Sequence, residues 1–141
     1  MSSPQIEQFI KNMNSIQHEN AKHVLANIYT DDVVFIDPVK TIKGVENLTK
    51  YFEDLYKSVS SCHFKLTNNV PNNNRYSLEW IMTLQHKKIS NNQEIELNGA
   101  SFIEFIDDKV CYHRDYYDLG ALVYERIPIL GSVIKKIRHA I

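Results

Sequence analysis

Apolar residues recur at helical spacing three times in the first 56 positions of the chain, and from residue 60 onward they recur at every second position. Ser3-Pro4 predicts a helix start, because a serine oxygen can cap the first turn and proline is tolerated where no partner for its N–H is needed. Ile6, Phe9, Ile10 and Met13 then form the stripe of helix one. After a polar break at Gln17 to Asn20, Ala21, Val24, Leu25 and Ile28 repeat that stripe up to Tyr29, and Thr30-Asp31-Asp32 closes helix two. Val33 to Asp37 reads as a short β-branched strand, stopped by Pro38, which cannot donate to a ladder. Gly44 introduces a third helix, with Val45, Leu48, Phe52 and Leu55 on its apolar face and Tyr51 and Tyr56 beside it.

The later segments alternate. Cys62, Phe64 and Leu66 share one strand face, and Pro71-Asn72-Asn73-Asn74 is a turn. Tyr76, Leu78, Trp80, Met82 and Leu84 make the most continuous apolar face in the chain. Ser90-Asn91-Asn92 turns into a strand whose Ile95, Leu97, Gly99, Ser101, Ile103 and Phe105 point one way, and Asp107-Asp108 returns it into the last strand. Long strands joined by short polar turns predict an antiparallel meander that buries one face. Three helices to cover that face make an α+β domain.

At 141 residues the chain fits a single domain over 1–141, able to bury roughly 68% of its unfolded surface without a metal or disulfide staple. A formal net charge of -1 gives no reason to expect a nucleic-acid partner. No apolar run is long enough to span a membrane and Met-Ser-Ser-Pro lacks signal-peptide features, so the expected compartment is the cytoplasm. Cys62 and Cys111 have no metal-ligand spacing and are expected to face inward as small apolar residues; no metal site and no cofactor is expected. Residues 120–141 read as a helical extension, with a possible turn over 121–127 and then Leu130, Val133, Ile134 and Ile137 opposite Lys135, Lys136, Arg138 and His139. Such a helix is expected to cap its own domain or a dimer partner, with a membrane surface as the other option.

Candidate chemistry concentrates in the last strand. Alternation places Cys111, His113, Asp115 and Tyr117 on one face, and Val110, Tyr112, Arg114 and Tyr116 on the other. A carboxylate on a face that meets the core costs several kcal/mol unless it is paired, so Asp115 suggests a pocket lining. His113 shares its face and is placed for a hydrogen-bonded pair or a proton relay. Asp37, at the end of the first strand, lines the same pocket or caps the turn before Pro38.

Two segments carry a family resemblance. Residues Tyr29-Thr30-Asp31-Asp32-Val33-Val34-Phe35-Ile36-Asp37-Pro38 with Gly44, and Lys109-Val110 through His113-Arg114-Asp115-Tyr116-Tyr117-Asp118-Leu119, resemble the nuclear transport factor 2-like superfamily. That superfamily includes SnoaL-like cyclases, ketosteroid isomerase and limonene epoxide hydrolase. The resemblance implies a cone-shaped barrel of three N-terminal helices packed on a curved antiparallel sheet, and a homodimer. Asp37 matches the position of the isomerase's base, while Ser101 stands where that enzyme keeps a protonated acid and helix one carries no matching tyrosine. Asp115 matches one carboxylate of the epoxide hydrolase, whose tyrosine and asparagine positions hold Phe35 and Asp37; the strand Leu78 to Met82 offers no matching arginine or aspartate. The implied pocket is apolar, bounded by Phe35, Phe52, Trp80, Met82, Ser101 and Tyr117, with Asp115, Asp37 and His113 as its acid/base groups. Two functions stay open: acid/base catalysis on a small hydrophobic molecule, as in an isomerase, cyclase or hydrolase, or binding of such a molecule without turnover by a dimeric domain whose interface uses Tyr112, Arg114 and Tyr116.

Overall fold

The computed structural model describes residues 3–123 and 128–141. Along them run α1 (Pro4–Asn14), α2 (Ala21–Ile28), β1 (Tyr29–Ile36), β2 (Thr41–Lys43), α3 (Val45–Tyr56), β3 (Val59–Asn72), β4 (Arg75–His86), β5 (Glu94–Ile106), β6 (Lys109–Tyr117), α4 (Leu119–Leu122) and α5 (Pro128–Ala140). The expected start of α1 is present: Ser3 Oγ accepts from the Ile6 amide at 3.2 Å and Pro4 opens the helix. The expected turn over 121–127 is realised as α4 at residues 119–122, and residues 124–127 lie outside the described residues.

The strands form one sheet in the order β2-β1-β6-β5-β4-β3. β3 to β6 are the antiparallel meander that the alternation predicts. The expected curved antiparallel sheet is present, and one of its five pairings, β1 against β6, is parallel. β6 has one side taken by β5, and the long path from β1 through α3 and the meander leaves ample chain for a parallel crossover. The sheet is curved but unclosed, with β2 and β3 at its edges. Its curvature comes with register shifts in β1, β3 and the β5–β6 pair, since an extra residue bends a strand.

Other boundaries differ locally. α2 stops at Ile28, and Tyr29 is already extended and paired with Val110, so Thr30 to Asp32 belong to β1 and not to a helix end. Pro71 lies inside β3, an edge strand, where its missing N–H faces no neighbour. The turn narrows to Asn73 and Asn74, and Asn73 takes the left-handed φ of 58° that asparagine tolerates. The predicted inward position of Cys111 is also corrected: β5 pairs Glu104 with Tyr112 and Phe105 with Val110, so Cys111 is the bulged residue and fully buried Val110 takes the core position. The Cys111 thiol instead donates to the Glu104 carbonyl. Cys62 is partly buried against the core, and burial pushes its thiol up to about 11.

The helices lie on the concave face, with α1 against β3 and α3 against β1. Ile6, Leu25, Leu48, Leu78 and Ile103 are almost fully excluded from water there. Asn14, the last residue of α1, substitutes for a neighbouring strand at the β3 edge. Its amide donates to the Phe64 carbonyl at 3.0 Å and its oxygen accepts from the Phe64 amide at 2.7 Å.

At the end of β4, buried His86 organises the turn into β5. Its Nδ1 accepts from the Lys88 and Ile89 amides, both at 3.0 Å, so the proton sits on Nε2. Burial, and then the charge of Lys88, lower its pKa from the ordinary histidine value. The folded ring takes up a proton at lower pH than the unfolded one, so acid favours unfolding. The contribution is complete above the unfolded value of about 6.5 and is lost as pH falls from there toward the lower folded value. A His86→Asn variant keeps an acceptor without a titrating ring. Thermal melts should show its deficit relative to the wild type shrinking as pH falls from about 7.5 to about 5.5; a constant deficit would contradict the assignment.

Candidate active site

The concave face carries one row of hydrogen-bonded side chains, assembled by cross-strand register. Ser101 on β5 pairs directly with Asp115 on β6, and Gly99, two residues earlier, pairs with Trp80 on β4. A strand turns every second side chain to the same face, so Ser101 and Gly99 both face inward. The glycine has no side chain, and the Trp80 ring occupies that space: a Cβ at Gly99 would lie 2.2 Å from the indole Cη2. From there Trp80 Nε1 donates to Ser101 Oγ at 2.8 Å. Ser101 in turn donates to Asp115 Oδ1 at 2.5 Å.

His113 continues the row on the other side. Its Nε2 lies 2.7 Å from the same Asp115 Oδ1, and its Nδ1 lies 2.7 Å from the Tyr29 hydroxyl. With Nε2 turned to the carboxylate, Nδ1 is left for the Tyr29 hydroxyl, which also has Met13 Sδ within 3.7 Å. Burial, and then the charge of Asp115, push the Tyr29 pKa well up, which keeps its phenol a donor. Aromatic rings wedge the imidazole, with Phe35 at 4.8 Å and Phe9 at 5.7 Å between centroids. His113 is 2% exposed and the Asp115 side chain 18%. Oδ1 thus takes two bonds, while Oδ2 takes part in none among the described residues.

Beside this row, between Phe9, Ile10 and Met13 of α1 and the sheet residues Phe64, Leu78 and Trp80, lies a cavity of about 20 Å³ that reaches Ser101, His113 and Asp115. That is room for one water molecule, against the several hundred Å³ of an organic-ligand pocket.

Asp37 is placed apart from the row. Its Oδ1 accepts from the Val39 and Lys40 amides at 2.8 and 2.9 Å, capping the turn after β1, and Oδ2 accepts from the Tyr51 hydroxyl at 2.6 Å. Burial, the hydrogen bond to Asp37 and the charge of Asp37 raise the Tyr51 pKa. Burial followed by the charges of Asp37 and Asp115 raises that of half-buried Tyr117. Tyr51 and Tyr117 therefore both lie within the fields of Asp37 and Asp115, and Tyr51 donates to Asp37.

Of the residues singled out from the sequence, the structure joins Trp80, Ser101, His113 and Asp115 directly. Phe35 joins them through its ring, and Phe52 packs on Phe35 at 5.7 Å. Met82 is buried but has no part in the row. Two partners were not foreseen as site residues. Tyr29 looked like the end of a helix, and its position beside a β-branched run was the available sign that it starts a strand. Tyr51 stood at the margin of the α3 stripe, where a polar tip beside an apolar face is a usable signal. Among the described residues no group of three His, Cys, Asp or Glu is placed to share a metal ion, and no helix is long and apolar enough to cross a membrane.

Residues 6–113 match the family model described as SnoaL-like domain. A Catenulispora acidiphila protein with a ketosteroid isomerase-like fold, solved in complex with trimethylamine, aligns with a TM-score of 0.73 at 12% identity, over 86% of this chain and 91% of that one. A Jannaschia protein described by name as a SnoaL-like polyketide cyclase aligns with a TM-score of 0.68 at 14% identity, over 86% and 92%. An NTF2-like protein of unknown function from Burkholderia pseudomallei aligns with a TM-score of 0.68 at 12% identity, over 87% and 98%. At such identities these likenesses show the shared fold. No curated protein matches the chain.

Proposed function

The chain belongs to the SnoaL-like domain family, and from that premise we propose that it binds a small, largely apolar molecule on the concave face and moves a proton on it through Asp115. The observation that carries this reading is the state of that carboxyl group. Ser101 and His113 fix Oδ1, and Oδ2 is left without a hydrogen bond among the described residues, beside a cavity walled mainly by apolar side chains. A carboxyl oxygen held in place without being used up suits a group that exchanges a proton with a bound molecule. His113 and Tyr29 act as positioning residues, because each touches the acid or its partner and neither needs to touch the ligand. Asp37 has both oxygens engaged and serves the rim of the site.

The size of the cavity favours a second reading, in which the domain binds a ligand without turning it over. Anything larger than water must displace the Trp80 ring or α1. One experiment separates the two. Small apolar ketones and aldehydes are incubated with the protein in D2O, and exchange of the protons next to the carbonyl is followed by NMR. The acid/base reading expects exchange that falls by about 10²-fold or more in Asp115→Asn, with affinity nearly unchanged. Binding with no exchange would leave the second reading, and equal exchange by both proteins would remove Asp115 from the chemistry.

The outer face of the sheet fits the homodimer that the resemblance implies. Phe102 and Tyr116 stand about half exposed and packed edge to face at 5.7 Å, with the Arg114 guanidinium 4.9 Å from the Tyr116 ring. Aromatic residues and arginine are enriched at such surfaces. Sedimentation velocity at micromolar concentration tests the pairing, and a monomer would end it.

A further inference from the structure

The helix α5 was expected to cap its own domain or a partner. Among the described residues most of its apolar stripe is left uncovered: Leu130, Val133 and Ile137 are 42%, 50% and 57% exposed. α5 is held to the body along one edge of that stripe, where Arg138 forms an ion pair with Asp118 and partly buried Ile134 comes near Gly120. At 100° per residue, Val133, Ile137, Leu130 and Ile134 form one arc, Lys136 and Arg138 flank it on opposite sides, and Lys135 and His139 lie behind. No acidic residue occurs in the helix.

The charge pattern selects the occupant. A symmetric pairing of α5 with a second copy would bring the two flanking Lys136 side chains together with no acid in either helix to offset them. A nucleic acid would use the cations but has no place for the aliphatic arc. A bilayer with anionic headgroups suits both features, taking the arc into the acyl boundary with Lys136 beside it at the headgroups and Lys135 adding to the positive field behind. We propose that α5 is a reversible docking element for an anionic membrane surface.

Full-length protein is sedimented with vesicles of phosphatidylcholine alone and with about 30% phosphatidylserine added, an anionic composition of the kind basic helices recognise. The proposal expects binding to the anionic vesicles, weakened by salt, and little binding to the neutral ones. Both Val133→Asp/Ile137→Asp and Lys135→Glu/Lys136→Glu should reduce it by roughly tenfold or more, with the circular dichroism and melting of the domain unchanged. Absence of binding to anionic vesicles would overturn the proposal. So would equal binding to both vesicle types, or a wild-type dimer that the apolar double variant converts to monomer without any vesicle binding. Because the readout is sedimentation, its failure is independent of the proton-exchange experiment on Asp115.

Discussion

Gly99→Ala is expected to be among the most disruptive single-atom additions in the chain. The new Cβ would lie 2.2, 2.5 and 2.6 Å from Cη2, Cζ2 and Cζ3 of Trp80, distances that real Cβ atoms do not show. The clash falls on a rigid ring, 4% exposed and held edge-on by Phe64 at 5.1 Å, so no flexible tail can swing aside. Overpacking a buried site costs about 1–3 kcal/mol. Moving the ring also takes Nε1 off Ser101, which adds about 1 kcal/mol for a buried hydrogen bond. A total near 3 kcal/mol would lower the melting temperature by about 10 °C. Trp80 is the single tryptophan, so its fluorescence reports the displacement without labelling. A melting point within about 2 °C of the wild type and an unshifted emission maximum would show that the indole is not held as described.

His113→Ala is expected to cost about 3–5 kcal/mol in urea unfolding, a large part of the stability of a typical domain. The substitution empties a space between Phe9, Phe35 and Tyr29, leaves the Tyr29 hydroxyl only the weak acceptor Met13 Sδ at 3.7 Å, and strips Asp115 of a donor. A double-mutant cycle separates these effects. Tyr29→Phe should cost about 1–2 kcal/mol when His113 is present, because Nδ1 loses its buried donor, and close to nothing when His113 is already alanine. Equal costs in both backgrounds would mean that the phenol is held by something other than the imidazole. The same pair tests the positioning role: Tyr29→Phe should lower the rate of proton exchange while leaving ligand affinity intact.

Much of this architecture was legible from spacing. Helical periods placed α1 and α3, and the alternation from Tyr76 to Leu84 and from Ile95 to Phe105 placed two strands with the correct inward faces. The row itself follows from that alternation, since Ser101, His113 and Asp115 were already assigned inward positions. What spacing could not carry was pairing. Nothing local says that β1 runs parallel to β6, so the meeting of Tyr29 with His113 across 84 residues was invisible. Nor can alternation foresee a bulge: at Cys111 one inserted residue reverses the phase, and Val110 takes the core position while the thiol turns away. Asp37 was legible as to place but not as to partner, because the choice between lining and capping depends on how Tyr51 of α3 approaches it.

The clamp that Asn14 places on Phe64 links two events that would otherwise be separate. Phe9, Ile10 and Met13, on the same short helix, roof the small void over the acid. Any rearrangement that lifts this roof to admit a guest must first release the side-chain amide from the sheet margin. Deuterium uptake at the Phe64 amide therefore reports the lifting of the roof, and a guest that holds α1 off the sheet should raise it in proportion to occupancy.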